Sequence, residues 1–166
     1  LMKSMTQLNK GGRRFQIKQI WGNEKGYAAC CAERQMLDDA ALKAIYEYLQ
    51  WQYQMPEVFM VQAAMAEHLI HEGVKTYEGA MAIMELKDMF ERCAVLVVPI
   101  HCDTPLHWTF LEVGNEGGKV KYVKYYDWCR GMDKSRELAQ LFLIYLEQTL
   151  KPGEKLTLVV PAPWNK

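Results

Sequence analysis

Apolar positions recur at helical spacing through the first half of the chain and at strand spacing through most of the second. From Leu37 to Gln50, "LDDAALKAIYEYLQ" places Leu42, Ile45, Tyr46 and Leu49 on one face, and Asp38 or Asp39 can cap free amides and complement the helix dipole. This predicts a helix. Pro56 breaks the pattern, and beyond it Val58, Val61, Met65 and Leu69 mark a second helical face that ends near Gly73. Met81, Met84 and Phe90 predict a third, less regular helix. Leu1 to Lys25 is mixed, with one apolar patch at Phe15, Ile17, Ile20 and Trp21, and reads as a loosely held lead-in.

The period changes after Cys93. "AVLVVPI", Ala94 to Ile100, is a short β-branched apolar run that fits a strand covered on both faces. "HWTFLEV" and "VKYVKYY" follow, joined by "GNEGGK", whose glycines permit the positive φ angles of a reversal. They predict a hairpin. Ser135 can cap the next helix, with Leu138, Leu141, Phe142, Tyr145 and Leu146 as its apolar face and Pro152-Gly153 as its stop. A last strand, Leu156 to Val160, closes the pattern. Helices, three strands, a helix and a strand make an α+β domain a better fit than an alternating parallel α/β one: a helical first half, then a mostly antiparallel sheet with a covering helix.

The hairpin also carries candidate chemistry. A loop centred between Asn115 and Gly118 sets the numbers of opposed residues to a sum near 233 or 234, and the second of these pairs His107 with Asp127, Thr109 with Tyr125 and Leu111 with Val123 on one face, and Trp108 with Tyr126 and Phe110 with Lys124 on the other. Opposed β-carbons lie roughly 4.5 to 5.5 Å apart, so imidazole and carboxylate would meet. A slip of one residue would separate them. Two readings of the pair stand side by side. In one, Asp127 fixes the tautomer of His107, whose other nitrogen takes a proton from a nucleophile; in the other, the pair only braces a sheet end. Cys102 and Cys129 lie near the strand ends, and each fits a semi-buried structural thiol better than a nucleophile.

Composition narrows the classes. The 166 residues suit a single domain with its own core, are 50% hydrophobic and 24% charged, and carry a formal net charge of zero. Nothing in this balance favours a disordered tail or a nucleic-acid partner. Five cysteines, none in a C-x-x-C pair, argue against a zinc knuckle and for a reducing, intracellular setting, nuclear or cytoplasmic. No run of about 18 apolar residues suggests a membrane span.

"VLVVPIHCDTPLHWTFLEV" followed by "VKYYDWC" resembles part of the SUMO and other ubiquitin-like-protein-specific cysteine proteases. There a strand ending in a Pro-Ile-His-like turn leads to His-Trp and then to a Tyr-Tyr-Asp-Ser-like strand end. "QMLDDAALKAIYEYLQ" is similar to that family's Trp-Leu-Asn-Asp helix start, with Met36 in place of Trp and Asp38 in place of Asn, and "VFMVQAAMAEHLI" sits where the family has a helix beginning with Phe. The resemblance runs from about Gln35 to Val160 and rests on the order and separation of short motifs.

The resemblance implies a papain-like cysteine-protease superfamily fold of the adenovirus-protease and SUMO-protease type, with residues 1–34 as lead-in and 35–166 as a partial catalytic domain. It implies His107 as general base, Asp127 as its orienting carboxylate, and Trp108, with Met36 and Asp38, along the channel that admits a substrate's glycine-rich tail. The family's oxyanion Gln and nucleophilic Cys follow the strand matched by Leu156 to Val160, and this chain stops first. The expectation is a cysteine-type peptidase or isopeptidase for SUMO or another ubiquitin-like modifier, monomeric and free of cofactor and metal, cut before its nucleophile and inactive as it stands. A non-catalytic relative that binds ubiquitin-like proteins, or a structural α+β domain, are the alternatives.

Overall fold

The computed structural model describes residues 6–8, 14–16, 39–73, 75–103, 106–127, 133–150 and 155–161. These fall into two compact units that divide between Met55 and Pro56. In the first, strands β1 (Thr6–Leu8) and β2 (Arg14–Gln16) pair antiparallel, and helix α1 runs over Asp39–Tyr53. Asp39 occupies the first turn of α1, where its charge complements the dipole; Asp38 lies outside the described residues. The helix stops where Gln54 turns left-handed at φ 51°, and the Met55 amide then donates back to the Gln50 carbonyl at 3.2 Å.

The second unit is built on a five-stranded sheet in the order β3-β4-β5-β6-β7: β3 (Val58–Met60), β4 (Val95–Asp103), β5 (Leu106–Glu116), β6 (Lys119–Tyr126) and β7 (Leu158–Val159). The inner pairings, β4 with β5 and β5 with β6, are antiparallel. Both outer ones are parallel, so the sheet is mixed, where a mostly antiparallel sheet was expected. Helices α2 (Ala63–His71), α3 (Tyr77–Arg92) and α4 (Asp133–Leu150) supply the rest of its core. Leu96, Val98, Ile100 and Cys102 alternate along β4 into that core, beside Leu69, Leu86, Phe90, Phe142 and Leu146 of the helices.

Three sequence expectations fail here for local reasons. Val58 opens no helix. Residues 58–60 form β3, drawn into register with Val95–Val97, and the Val61 amide donates to the Val97 carbonyl at 2.8 Å before α2 begins at Ala63. Met81 and Met84 are 46% and 66% exposed, because α3 buries Gly79, Ala82 and Leu86 beside Phe90, the one residue of the expected face that enters the core. Gly79 is needed there: a β-carbon would strike the Gly73 carbonyl oxygen. Ser135 does not cap α4, which starts at Asp133 and buries Ser135 completely, and Leu141 is 43% exposed while Leu143 takes a core position.

The β5–β6 hairpin turns at Gly117 and Gly118, with φ of 62° and 76°. Glu116 pairs with Lys119 and Asn115 with Val120, but Gly114 pairs with Tyr122, so Lys121 is an extra residue on β6. Asn115 fixes this irregularity. Its Nδ2 donates to the Phe90 and Cys93 carbonyls at 2.6 and 2.7 Å, its Oδ1 accepts from the Gly118 amide at 3.0 Å, and its own amide donates to the Ala94 carbonyl at 2.8 Å. Gly114 completes the arrangement, since the Tyr122 ring occupies the space a side chain would need.

Candidate active site

The bulge sets where the two ends of the hairpin meet. Leu111 pairs with Tyr125, Phe110 with Tyr126 and Glu112 with Lys124. This register is two residues away from the expected one, so His107 and Asp127 are diagonal neighbours and not directly opposed. An even shift preserves the face each side chain occupies, and a diagonal neighbour remains within reach of a long side chain. His107 Nε2 and Asp127 Oδ1 are 2.7 Å apart, with the two side chains 7% and 10% exposed.

An ionised carboxylate only accepts hydrogen bonds, so Nε2–H is the donor and a neutral His107 keeps its lone pair on Nδ1. Among the described residues Nδ1 has no hydrogen-bond partner. The second oxygen of Asp127 accepts from the Tyr125 hydroxyl at 2.8 Å. Burial, and then the bond to Asp127, push the Tyr125 phenol well above its ordinary range, so it stays protonated and remains a donor. The carboxylate is thus held on one side and presents its other oxygen to the imidazole. The sequence reading missed Tyr125, although its place two residues before Asp127, on the same strand face, was a usable signal.

The remaining candidates are placed as follows. Trp108 points to the opposite face from His107, is 9% exposed, and packs against His101 with ring centroids 4.6 Å apart and planes tilted by 37°. Cys102 pairs with His107 across β4 and β5 on the same face, but at 2% exposure it belongs to the core. Cys93 is buried too; burial pushes its thiol up, and its sulfur lies 3.6 Å from the Phe90 carbonyl oxygen. Met36, Asp38 and Cys129 lie outside the described residues. The described residues thus bring His107 and Asp127 together, while both described cysteines are buried.

The other face of the hairpin holds a second tethered carboxylate. Glu112 accepts from the Tyr126 hydroxyl at 2.6 Å, the Tyr122 hydroxyl at 2.8 Å and the Lys124 ammonium at 3.0 Å. Burial opposes its charge, yet these three donors together outweigh burial and lower its pKa. Burial, and then the bond to Glu112, push the Tyr126 phenol up to about 12.

No protein-family model matches the chain, and no curated protein matches it either. Among solved structures it is similar to the crystal structure of a de-sumoylating protease, with a TM-score of 0.52 and 14% sequence identity. The match covers 93% of this chain and 61% of that one, so the chain spans less than two thirds of the length of that protein. At this identity the likeness is one of fold: an α+β domain of the kind that a de-sumoylating protease also uses. No helix among the described residues is long and apolar enough to cross a membrane.

Proposed function

We propose that the chain supplies the base and the orienting carboxylate of a cysteine-type peptidase or isopeptidase acting on SUMO or another ubiquitin-like modifier, the nucleophilic thiol coming from a cysteine beyond residue 166. The observation that carries this reading is the buried 2.7 Å contact between His107 and Asp127, in a fold similar to that of a de-sumoylating protease. A free thiol, with a pKa near 8.5, is mostly protonated at neutral pH. Beside His107 it would pass its proton to Nδ1, and the resulting imidazolium would stabilise the thiolate while Asp127 holds the ring by Nε2–H. The thiolate attacks the carbonyl at the end of the modifier, the amine leaves with a proton from the imidazolium, and water then hydrolyses the thioester. Trp108 would form one wall of the channel for the modifier's tail.

The burial of both described cysteines favours one second reading, a relative that binds the modifier without cleaving it. A probe made of a ubiquitin-like protein with a thiol-reactive C-terminus separates the two. The chain extended through its natural C-terminus should be labelled, and His107→Ala should lose labelling while retaining the native fold by circular dichroism. Undiminished labelling of that variant rejects His107 as the base. Retention on the immobilised modifier without any labelling selects the binding relative.

A further inference from the structure

His101 and Asp103 alternate with Cys102 at the end of β4, so both point away from the face on which Cys102 enters the core. Glu67, on α2, reaches the same place. His101 Nδ1 lies 3.4 Å from Glu67 Oε1 and 3.3 Å from Asp103 Oδ1, and one ligand atom from each of the three residues falls within 4.8 Å of the others. These contacts are long for charge-assisted hydrogen bonds, which close to about 2.7–2.9 Å. One nitrogen also cannot donate its single hydrogen along two directions at once. The two separations from His101 Nδ1 instead match the edge of a tetrahedron around a zinc-sized ion, whose ligands at about 2.0–2.1 Å stand about 3.3–3.4 Å from one another, and the two carboxylates lie within 4.8 Å of each other.

We propose that Glu67, His101 and Asp103 form a binding site for a divalent transition-metal cation of the zinc type, with water completing a four-coordinate shell. The donor set suits that class: an imidazole with two carboxylates favours zinc, nickel or copper over magnesium and calcium, which prefer oxygen alone. Two ligands come from one strand at a spacing that backbone geometry fixes, and Trp108, packed against the His101 ring, limits its rotation. Such an ion would clip α2 to the end of β4 on the reverse side of the strand from the His107 pairing position. The site touches the proposed channel wall at Trp108 but uses neither His107 nor Asp127, and its test does not depend on proteolytic activity.

Titration of zinc into the chain by calorimetry should give one saturable site outside the cysteines, with at least tenfold weaker affinity in His101→Ala, in Asp103→Asn and in Glu67→Gln. Asp103 has a side chain 76% exposed, so its substitution leaves the fold intact and keeps the test informative if His101→Ala unfolds. Cobalt should give d–d absorption without a thiolate charge-transfer band. His68→Ala, which alters the separate His68–Glu72 pair, should bind as the parent does. No saturable binding, a thiolate band at the first equivalent, or equal affinity in Asp103→Asn and the parent overturns the site.

Discussion

The two faces of the β5–β6 hairpin each fasten a carboxylate with tyrosine hydroxyls, yet they give it different remaining partners. Glu112 is met by two phenols and an ammonium, all of them donors. Asp127 is met by the Tyr125 hydroxyl and the His107 imidazole, and an imidazole, unlike a phenol or an ammonium, carries a second ring nitrogen that can accept a proton. Fastening a carboxylate is therefore common to both faces, while the capacity to follow a proton belongs to one. A buried ion cluster on its own says little about activity; the identity of the least tightly committed partner says more.

The largest expected effect separates the faces by activity. On the proposed reading, Asp127→Ala in a longer chain that carries the nucleophile should lower turnover of a ubiquitin-like substrate by about 10²- to 10⁴-fold. Glu112→Ala should leave turnover within about threefold and instead lose about 1–3 kcal/mol of stability in urea unfolding, since it strands three donors. Equal losses of activity would erase the distinction. The tyrosines sharpen it at smaller scale. Tyr125→Phe and Tyr126→Phe should each lose about 1 kcal/mol, but only Tyr125→Phe should reduce turnover, by about tenfold, because it releases the carboxylate that aims His107. If Tyr126→Phe has the same kinetic effect, Tyr125 has no positioning role.

The smallest effect is on acid stability. Glu112 has a folded-state pKa below its ordinary value of 4.5. Its contribution is therefore complete above that value and is lost as pH falls through the lowered one. Unfolding free energy should decline below about pH 4.5, and the decline should be shallower in Glu112→Gln. An identical acid limb in that variant assigns the loss to other carboxylates.

How much of this was legible in the sequence depended on whether a feature needed only alternation or also needed register. His107 and Asp127 were found because alternation along two strands puts them on one face, a property that survives an even slip. Their diagonal placement was not found, because it depends on the extra residue Lys121 and on a turn at Gly117–Gly118, neither of which periodicity encodes. Glu112 was hidden for the same reason: the expected register set Lys124 against Phe110. Among the helices, large apolar residues proved a poor guide where small ones mark the packed face. Gly79 and Ala82 carry α3 against its neighbours, and Met81 and Met84 face outward. Strand β3 was invisible because Val58, Val61, Met65 and Leu69 satisfy helical spacing, and a three-residue strand needs its partner to declare it. The likeness to a de-sumoylating protease, suggested by short motifs, was met at the level of fold.

The bend of the hairpin is written in two places along the chain, at its own glycines and at the carbonyls of Phe90 and Cys93, which lie 25 and 22 positions upstream of the Asn115 that grips them. Anyone grafting the histidine and aspartate into a foreign scaffold would have to carry over the last turn of α3 as well. The transplantable piece begins there and not at the first residue of β5.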